Sequence, residues 1–236
     1  MEDALEVTQR QDAGAPLKIQ KMAGKIGAQV FNVDLRQPLT DEVFAFLQAA
    51  VVEHQVIFLR DQDLNEEQHR AVAARFGPLS VYPAQKLAGE TSEMSYIADN
   101  VDSPPKADDW HTDISWLPEP PKYALIEEIF QPVEHPLVRT HPISGRQALF
   151  LSGNFLERIV GLTENESEML KRYLNSLLDD PNVQVRWKWK QFDFAIWDEA
   201  STNHRALSDH YPQERMVRRG TVDGARPFYR PEANSN

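Results

Sequence analysis

Residues 183–196, VQVRWKWKQFDFAI, decide the fold class. Val183, Val185, Trp187 and Trp189 alternate with polar and charged residues, and Phe192, Phe194 and Ile196 continue the period of two after Lys190 and Gln191. Because successive side chains of a β-strand point to opposite faces of the sheet, this alternation predicts two adjacent antiparallel strands.

Outside this stretch the chain predicts few helices and many short strands. Three segments have apolar residues at helical spacing behind a capping residue (Thr40, Asn65 and Thr163), and they predict helices over 41–54, 65–76 and 163–178. Further strands are predicted at 26–35, 56–59 and 94–97. Such a chain is typical of a mostly β fold with flanking helices around a sandwich or barrel core. Its 236 residues suit a single domain spanning 1–236.

Composition excludes several classes of function. A formal net charge of −11 argues against a nucleic-acid partner, because proteins that bind the phosphate backbone carry an excess of Lys and Arg. The chain has no cysteine, so a metal site would need His and carboxylate ligands. The N-terminus is polar and acidic, and no apolar run approaches membrane-spanning length. We therefore expect a cytoplasmic protein with no membrane partner.

The tripeptide His111-Thr112-Asp113 is a candidate half of a metal site. It lies in the apolar, aromatic segment 110–117, which is compatible with a strand, and residues i and i+2 of a strand point to one face. Two histidines and one carboxylate form the facial triad of non-haem iron(II) oxygenases. Chance easily supplies one such tripeptide, and a hydrogen-bonded pair at a strand end is the structural alternative.

The C-terminal region supplies the remaining candidates. His204 follows the predicted strand that ends at Trp197, and His210 is its main rival as the third ligand. Arg215 and Arg219 would share one face of either a helix or a strand. Arginine suits bidentate recognition of a carboxylate, whereas a solvated basic surface is the alternative interpretation.

The motifs resemble one known family in their order. H-T-D is followed by H-P-L-V-R-T-H-P-I-S-G-R-Q-A-L-F, by I-V-G-L-x-x-x-E-S-x-x-L, by W-D-x-x-x-x-x-H and by R-M-x-x-R. The earlier segments G-x-I-G-A-x-V-x-x-V-D-L, Q-V-I-F-L-R-D-Q and A-A-R-F-G-P-L fit the same pattern. Over nearly its whole length the chain resembles the taurine dioxygenase and 2,4-dichlorophenoxyacetate dioxygenase family.

This resemblance implies a double-stranded β-helix (jelly-roll) core and an iron(II)- and 2-oxoglutarate-dependent dioxygenase that consumes O2. It implies that His111, Asp113 and His204 bind iron(II), and that Arg215 binds the remote carboxylate of 2-oxoglutarate. Arg219 matches the position that holds the substrate anion, and Phe155 matches a pocket aromatic, with core packing as the equal alternative for Phe155. The Arg139 and His141 side chains belong to the R-T-H-P turn and could be purely structural.

One departure from the family lies between Tyr123 and Phe130. Family members carry several dozen residues there, including part of the substrate lid and a G-G-D-T motif whose threonine also contacts 2-oxoglutarate, and no G-G-D-T occurs in this chain. One explanation is that the protein has a mobile lid whose residues are missing from this sequence, which predicts a backbone break between about Ile126 and Glu128. The other explanation is that the lid is deleted and the chain is continuous there. A genuine deletion would put co-substrate binding and activity in doubt.

The expected function is hydroxylation of a small organic anion such as a sulfonate, an alkyl sulfate or an aryloxy or carboxylic acid, with succinate and CO2 as co-products. A non-catalytic jelly-roll binding protein is the alternative if the three ligands fail to converge. A zinc hydrolase with the same ligands would lack an evident general base and would leave the arginine pair without a role. Members of the resembled family commonly associate, so a homo-oligomer is expected.

Overall fold

The computed structural model describes residues 15–81, 85–86, 89–105, 109–113, 115 and 132–231. The strands in these residues are Lys18–Lys21 (β1), Ala28–Phe31 (β2), Val56–Leu59 (β3), Met94–Asp99 (β4), Val138–Thr140 (β5), Gln147–Leu149 (β6), Phe194–Trp197 (β7) and Arg215–Gly220 (β8). The α-helices are Asp41–His54 (α1), Glu66–Ala74 (α2) and Glu164–Ser176 (α3). None of the helices in these ranges has the length and apolarity that a membrane crossing requires.

The main sheet has the strand order β1-β2-β3-β7. Strands β2 and β3 are parallel, and the other two pairs are antiparallel. All four residues of β3 are buried, as expected for a continuous apolar run, VIFL, in the interior of a sheet. The apolar face of α1, with Leu47 and Ala50, joins this sheet in one hydrophobic cluster.

The predicted helices are confirmed, because their signals are local. The side chains of Thr40, Asn65 and Thr163 each accept a hydrogen bond from a backbone N–H in the first turn, and complete capping boxes begin α2 and α3. Helix α1 and strand β3 have the predicted bounds, whereas α2 and α3 end within two residues of the predicted ends. The strand predicted at 26–35 is shorter, covering Ala28–Phe31.

The stretch that decides the fold class forms only one of its two predicted strands. Phe194–Trp197 is β7, but residues 184–190 have no ladder of hydrogen bonds in the described part of the chain. Trp187 stacks on Phe58 at 4.5 Å between ring centroids, and its indole Nε1 donates to Asp193. The alternation therefore reflects one packed face and one solvated face without strand pairing.

The described strands form small sheets rather than one large sheet. Besides the four-stranded sheet, β4 pairs with β8 and β5 pairs with β6, both antiparallel. The described architecture is thus a mixed arrangement of helices and small sheets, and the expectation of a mostly β fold is met only in part. The segment between Ile126 and Glu128, where a backbone break would distinguish a lid from a deletion, lies outside the described residues.

Gln62 connects the sheet to the chain that follows it. This side chain is buried, and its Oε1 accepts from the backbone N–H of Leu35 at 2.7 Å. Its Nε2 donates to the carbonyl oxygens of Val33 and Arg60. Buried backbone groups at this position therefore depend on one side-chain amide.

We expect Gln62→Ala to lower the free energy of unfolding by about 2 to 3 kcal/mol, because it leaves buried backbone groups without partners. Urea denaturation measures this change. Gln20→Ala, on the exposed side of β1, is the matched control and should stay within about 0.5 kcal/mol of the parent. Equal stability of the two variants would contradict the role of Gln62.

Candidate active site

Two backbone hydrogen bonds bring distant histidines together. The N–H of His111 donates to the carbonyl of His204 at 3.0 Å, and the N–H of His204 donates to the carbonyl of His111 at 2.7 Å. This reciprocal pattern is an isolated antiparallel bridge. Directly opposite residues in such a bridge have their side chains on the same face. The imidazole rings accordingly lie 4.3 Å apart between centroids.

Asp113 completes the cluster, although the described residues of 110–117 do not form the expected strand. Of the residues described there, only His111 has a β-bridge partner, and Asp113 lies in a turn. The carboxylate still reaches the histidines, with Oδ1 at 3.4 Å from His111 Nε2 and Oδ2 at 3.6 Å from His204 Nε2. The convergence of the side chains was predicted correctly, but the strand geometry behind that prediction was wrong.

The three side chains fit one metal ion. One ligand atom from each of the three residues lies within 4.8 Å of the others. With metal–ligand bonds of about 2.1 Å, two neighbouring ligands of an octahedral ion would be about 3.0 Å apart, so small side-chain adjustments suffice. The Nδ1 of His111 lies 2.8 Å from the carbonyl oxygen of Asp109, so Nε2, on the side of Asp113, is the ring nitrogen that would bind a metal.

The backbone behind His111 is held by close packing and side-chain hydrogen bonds. Thr112 is buried, and its hydroxyl donates to the carbonyl of Thr202. Gly153 has a φ of +54°, and a Cβ at this position would lie 2.5 Å from the carbonyl oxygen of Trp110. Glycine is therefore required at position 153, where the backbone lies against Trp110 and His111.

Strand β8 presents the two predicted arginines on one face. Residues 215 and 219 are an even number of positions apart in an extended strand, which decides between the helical and extended alternatives. Arg219 Nη1 lies 3.0 Å from Asp113 Oδ2, and the Arg219 side chain is only 11% exposed. Arg215 Nη2 lies 2.7 Å from Asp99 Oδ2 on the paired strand β4. These arginines contact buried carboxylates, so they do not form a solvated basic surface.

His210 belongs to a different cluster. Its Nε2 lies 3.2 Å from Asp99 Oδ2, beside Arg215. Within the described part of the chain, the grouping of His and carboxylate side chains that suits a metal contains His204 and not His210. Asp99, which joins Arg215 to His210, was missed by the sequence analysis because nothing in its local sequence distinguishes it.

Phe155 lies at the edge of the metal cluster. Its ring is 6.3 Å from the His111 ring in an edge-to-face arrangement, and the residue is 43% exposed. Such exposure disfavours core packing, which was the alternative for this residue.

Arg139 and His141 are not among the three candidate metal ligands, but they hold neighbouring residues of the site in place. His141 is buried, with Nε2 at 2.9 Å from Asp198, and Ser144 donates to its Nδ1. Burial raises the pKa of Asp198, but the hydrogen bonds from His141 and Ser201 outweigh burial, so that this pKa lies below its usual value. Burial lowers the pKa of Arg139 to about 10.

Glu199 was also missed, although it directly follows the W-D motif. Its Oε1 lies 3.6 Å from His204 Nδ1 and its Oε2 lies 3.4 Å from the backbone nitrogen of Asp113. The histidines of helices α1 and α2 do not belong to the metal cluster. His54 is the last residue of α1, and burial and then the charge of Arg218 lower the pKa of His69, in α2, to about 4.

Comparison with known proteins identifies the family. Residues 18–126 and 127–221 match the family described as taurine catabolism dioxygenase TauD, TfdA family. The chain belongs to this family. It is therefore an iron(II)- and 2-oxoglutarate-dependent dioxygenase, as the motifs predicted, and the two matched segments meet between Ile126 and Glu127.

Two curated relatives of the TauD, TfdA family cover most of the chain. The sulfate ester dioxygenase of Pseudomonas putida, which is described as α-ketoglutarate-dependent, is 27% identical over 89% of the chain and 91% of its own length. An alkylsulfatase of Acinetobacter baylyi is 25% identical over 88% of the chain and 85% of its own length. Both alignments, of 276 and 273 positions, are longer than the chain itself, so these relatives contain segments that have no counterpart here.

A solved structure gives the same family fold. The taurine dioxygenase from Burkholderia xenovorans superimposes with a TM-score of 0.76 at 28% identity, covering 89% of this chain and 92% of that chain. The small sheets described above thus belong to the fold of a TauD-like dioxygenase.

We expect His204→Ala to weaken Mn(II) binding by more than about 100-fold, because loss of even an outer partner of a ligand costs about 10- to 100-fold. Electron paramagnetic resonance of unbound Mn(II) measures the dissociation constant. His210→Ala is the matched control, and its metal affinity should equal that of the parent chain. The reverse result would identify His210 as the third ligand.

Proposed function

We propose that the chain hydroxylates a small organic anion, with an alkyl sulfate as the first candidate. The observation that carries this proposal is the convergence of His111, Asp113 and His204 with Arg219 in contact with Asp113. The two curated relatives named above act on sulfate esters according to their descriptions, which favours this class among the expected anions.

His111, Asp113 and His204 would hold iron(II), and the donor set suits it. Two imidazole nitrogens and one carboxylate leave three positions of an octahedral ion free. When bound, the ion supplies activation of O2 coupled to decarboxylation of 2-oxoglutarate. The residues contribute a fixed geometry, since the backbone bridge and the Asp109 carbonyl orient the two imidazole ligands.

Arg215 is the proposed partner of the remote carboxylate of 2-oxoglutarate. Four strand positions separate Arg215 from Arg219, about 13 Å along β8, so the two guanidinium groups serve different parts of the site. The Nε of Arg215 is buried and has no hydrogen-bond acceptor in the described residues. The guanidinium can therefore keep its ion pair with Asp99 and still offer donors to a carboxylate.

Arg219 and Phe155 are the proposed substrate contacts. A guanidinium with five donors can hold Asp113 and an anionic oxygen together, and the exposed Phe155 ring can cover an apolar alkyl part. Recognition of an anion by a chain with net negative charge needs only a local positive field.

The proposed reaction replaces a C–H bond next to the sulfate ester oxygen by C–OH. One atom of O2 enters this hydroxyl group and the other enters succinate, while 2-oxoglutarate loses CO2. The hydroxylated carbon then releases hydrogen sulfate as its C–O bond breaks and the hydroxyl group becomes an aldehyde. Carbon is oxidised by two electrons at each of the two organic substrates, which balances the four-electron reduction of O2.

Three finer points of organisation are part of the proposal. The small sheets would belong to a jelly-roll core, as the family resemblance implies. Residues 1–236 would form one dioxygenase domain, with the family's lid segment missing near 126–128. The protein would be a homo-oligomer. Converged ligands disfavour a non-catalytic binding protein. A zinc hydrolase is disfavoured because the neighbouring Glu199 carboxylate faces His204 Nδ1, on the opposite edge of the ring from Nε2.

We expect succinate formation in the presence of iron(II), 2-oxoglutarate and an alkyl sulfate to exceed that with the corresponding neutral alcohol by at least about tenfold, because Arg219 offers a charge-assisted hydrogen bond. Arg219→Ala should abolish the preference for the anion. Quantification of succinate and sulfate for matched sulfates, sulfonates and aryloxyacetates tests the substrate class. Equal turnover of the anion and the alcohol would contradict it.

We expect Arg215→Ala to raise KM for 2-oxoglutarate by about 10- to 150-fold, the loss of about 1.5 to 3 kcal/mol that a charged hydrogen bond contributes. Its metal affinity should stay that of the parent chain. Arg186→Ala, which removes an exposed arginine paired with Asp209, is the matched control. An unchanged KM in Arg215→Ala would remove this residue from the co-substrate site.

A further inference from the structure

The two histidine ligands differ in the partner of their outer ring nitrogen. His111 Nδ1 has the neutral carbonyl oxygen of Asp109 at 2.8 Å. His204 Nδ1 is buried and has no hydrogen-bond partner among the described residues. A buried ring N–H without an acceptor is costly, so an acceptor close to this nitrogen is expected to be used.

The Glu199 carboxylate lies beside this nitrogen. Oε1 is 3.6 Å from His204 Nδ1, about 0.7 Å beyond an ordinary hydrogen bond. The same oxygen accepts from the indole N–H of Trp197, and Oε2 faces the backbone nitrogen of Asp113 at 3.4 Å. One carboxylate therefore touches both segments that carry metal ligands.

Glu199 is held in this position from several sides. Its side chain is 12% exposed, and its backbone carbonyl accepts from the buried guanidinium of Arg139. The preceding residue, Asp198, is fixed by His141 and by its backbone N–H bond to the carbonyl of Gln55. Because both backbone and side chain are anchored, the carboxylate is confined to the rear of the His204 ring.

We propose that Glu199 is a positioning residue for His204, accepting the Nδ1–H hydrogen bond and leaving Nε2 free for the metal. Carboxylate–histidine–metal arrangements fix the tautomer and the ring orientation, and they make the imidazole a stronger donor. This inference rests on the proposed function, since it takes His204 as a metal ligand.

Charge explains why a carboxylate suits this place. Arg219 Nη1 lies 3.0 Å from Asp113 Oδ2 and withdraws negative charge from the one carboxylate in the ligand set. Glu199 supplies a second negative charge on the side of His204, within a largely buried region where charges interact more strongly than in water. The cation would then be stabilised by two carboxylates, one bound directly and one acting through an imidazole.

The test compares Glu199→Gln with Glu168→Gln, a control on the exposed side of α3. We expect Glu199→Gln to weaken Mn(II) binding by about 10- to 100-fold with no change in circular dichroism or thermal unfolding of the metal-free chain. Glu168→Gln should bind Mn(II) like the parent. If Glu199→Gln binds Mn(II) as tightly as the parent, the inference is overturned while the proposed metal site stands. If the parent chain and Glu168→Gln both fail to bind Mn(II), the proposed function and the inference fall together.

Nuclear magnetic resonance of the Zn(II)-loaded, ¹⁵N-histidine-labelled chain provides a second measurement. The His204 Nδ1–H signal should lie downfield in the parent and move upfield in Glu199→Gln. The His111 Nδ1–H signal, whose acceptor is a backbone carbonyl, should stay in place. A purely structural role for Glu199 would move both signals or neither, and either result would contradict the proposal.

Discussion

The reciprocal backbone hydrogen bonds between His111 and His204 are the constraint on which the site depends. The two residues are far apart in the chain, and neither belongs to a regular strand. A hydrogen-bonded antiparallel pair fixes the distance between Cα atoms at about 5.5 Å and turns both side chains to one face. The absence of a side chain at Gly153 lets this segment pack closely against the backbone before His111, since any Cβ there would collide with the Trp110 carbonyl. A metal site made of short bonds needs such a fixed spacing.

The main sheet carries one half of this pairing. Strand β7 is held in register against the buried β3, with Trp197 opposite Val56, and the chain leaves the sheet directly after Trp197. Asp198 then bonds to the Gln55 carbonyl and to His141, so the turn toward His204 starts from a fixed point. Hydrophobic burial of the sheet thereby positions a polar site that contributes little apolar burial of its own.

How much the sequence predicts depends on the range of the interactions. Helices α1 to α3 are recognisable because a cap and its helix lie within a few residues. The alternation at 183–190 predicts one solvated face, but it cannot show whether a partner strand is available. In the structure the indole of Trp187 packs on Phe58, and this segment pairs with no strand in the described residues. The metal triad could be predicted only from the order of several motifs along the chain. The contacts of Asp99 and Glu199 arise only in the tertiary structure. Asp99 stands in no distinctive local pattern, and the W-D motif before Glu199 assigns no role to the residue after it, so their roles could not be derived from the sequence.

Strand β8 shows how the fold prepares cationic groups before a ligand arrives. Its two inward arginines pair with Asp99 and Asp113, while Arg218 between them turns to the other face and donates to His69. A free arginine side chain has about 2 kcal/mol of rotamer entropy to lose when it is fixed. Because protein carboxylates have already fixed both guanidinium groups, an incoming anion meets donors that are ordered in advance. The same pairing reduces the net positive charge that the anion meets, so geometry, more than charge, must distinguish the ligands that β8 accepts.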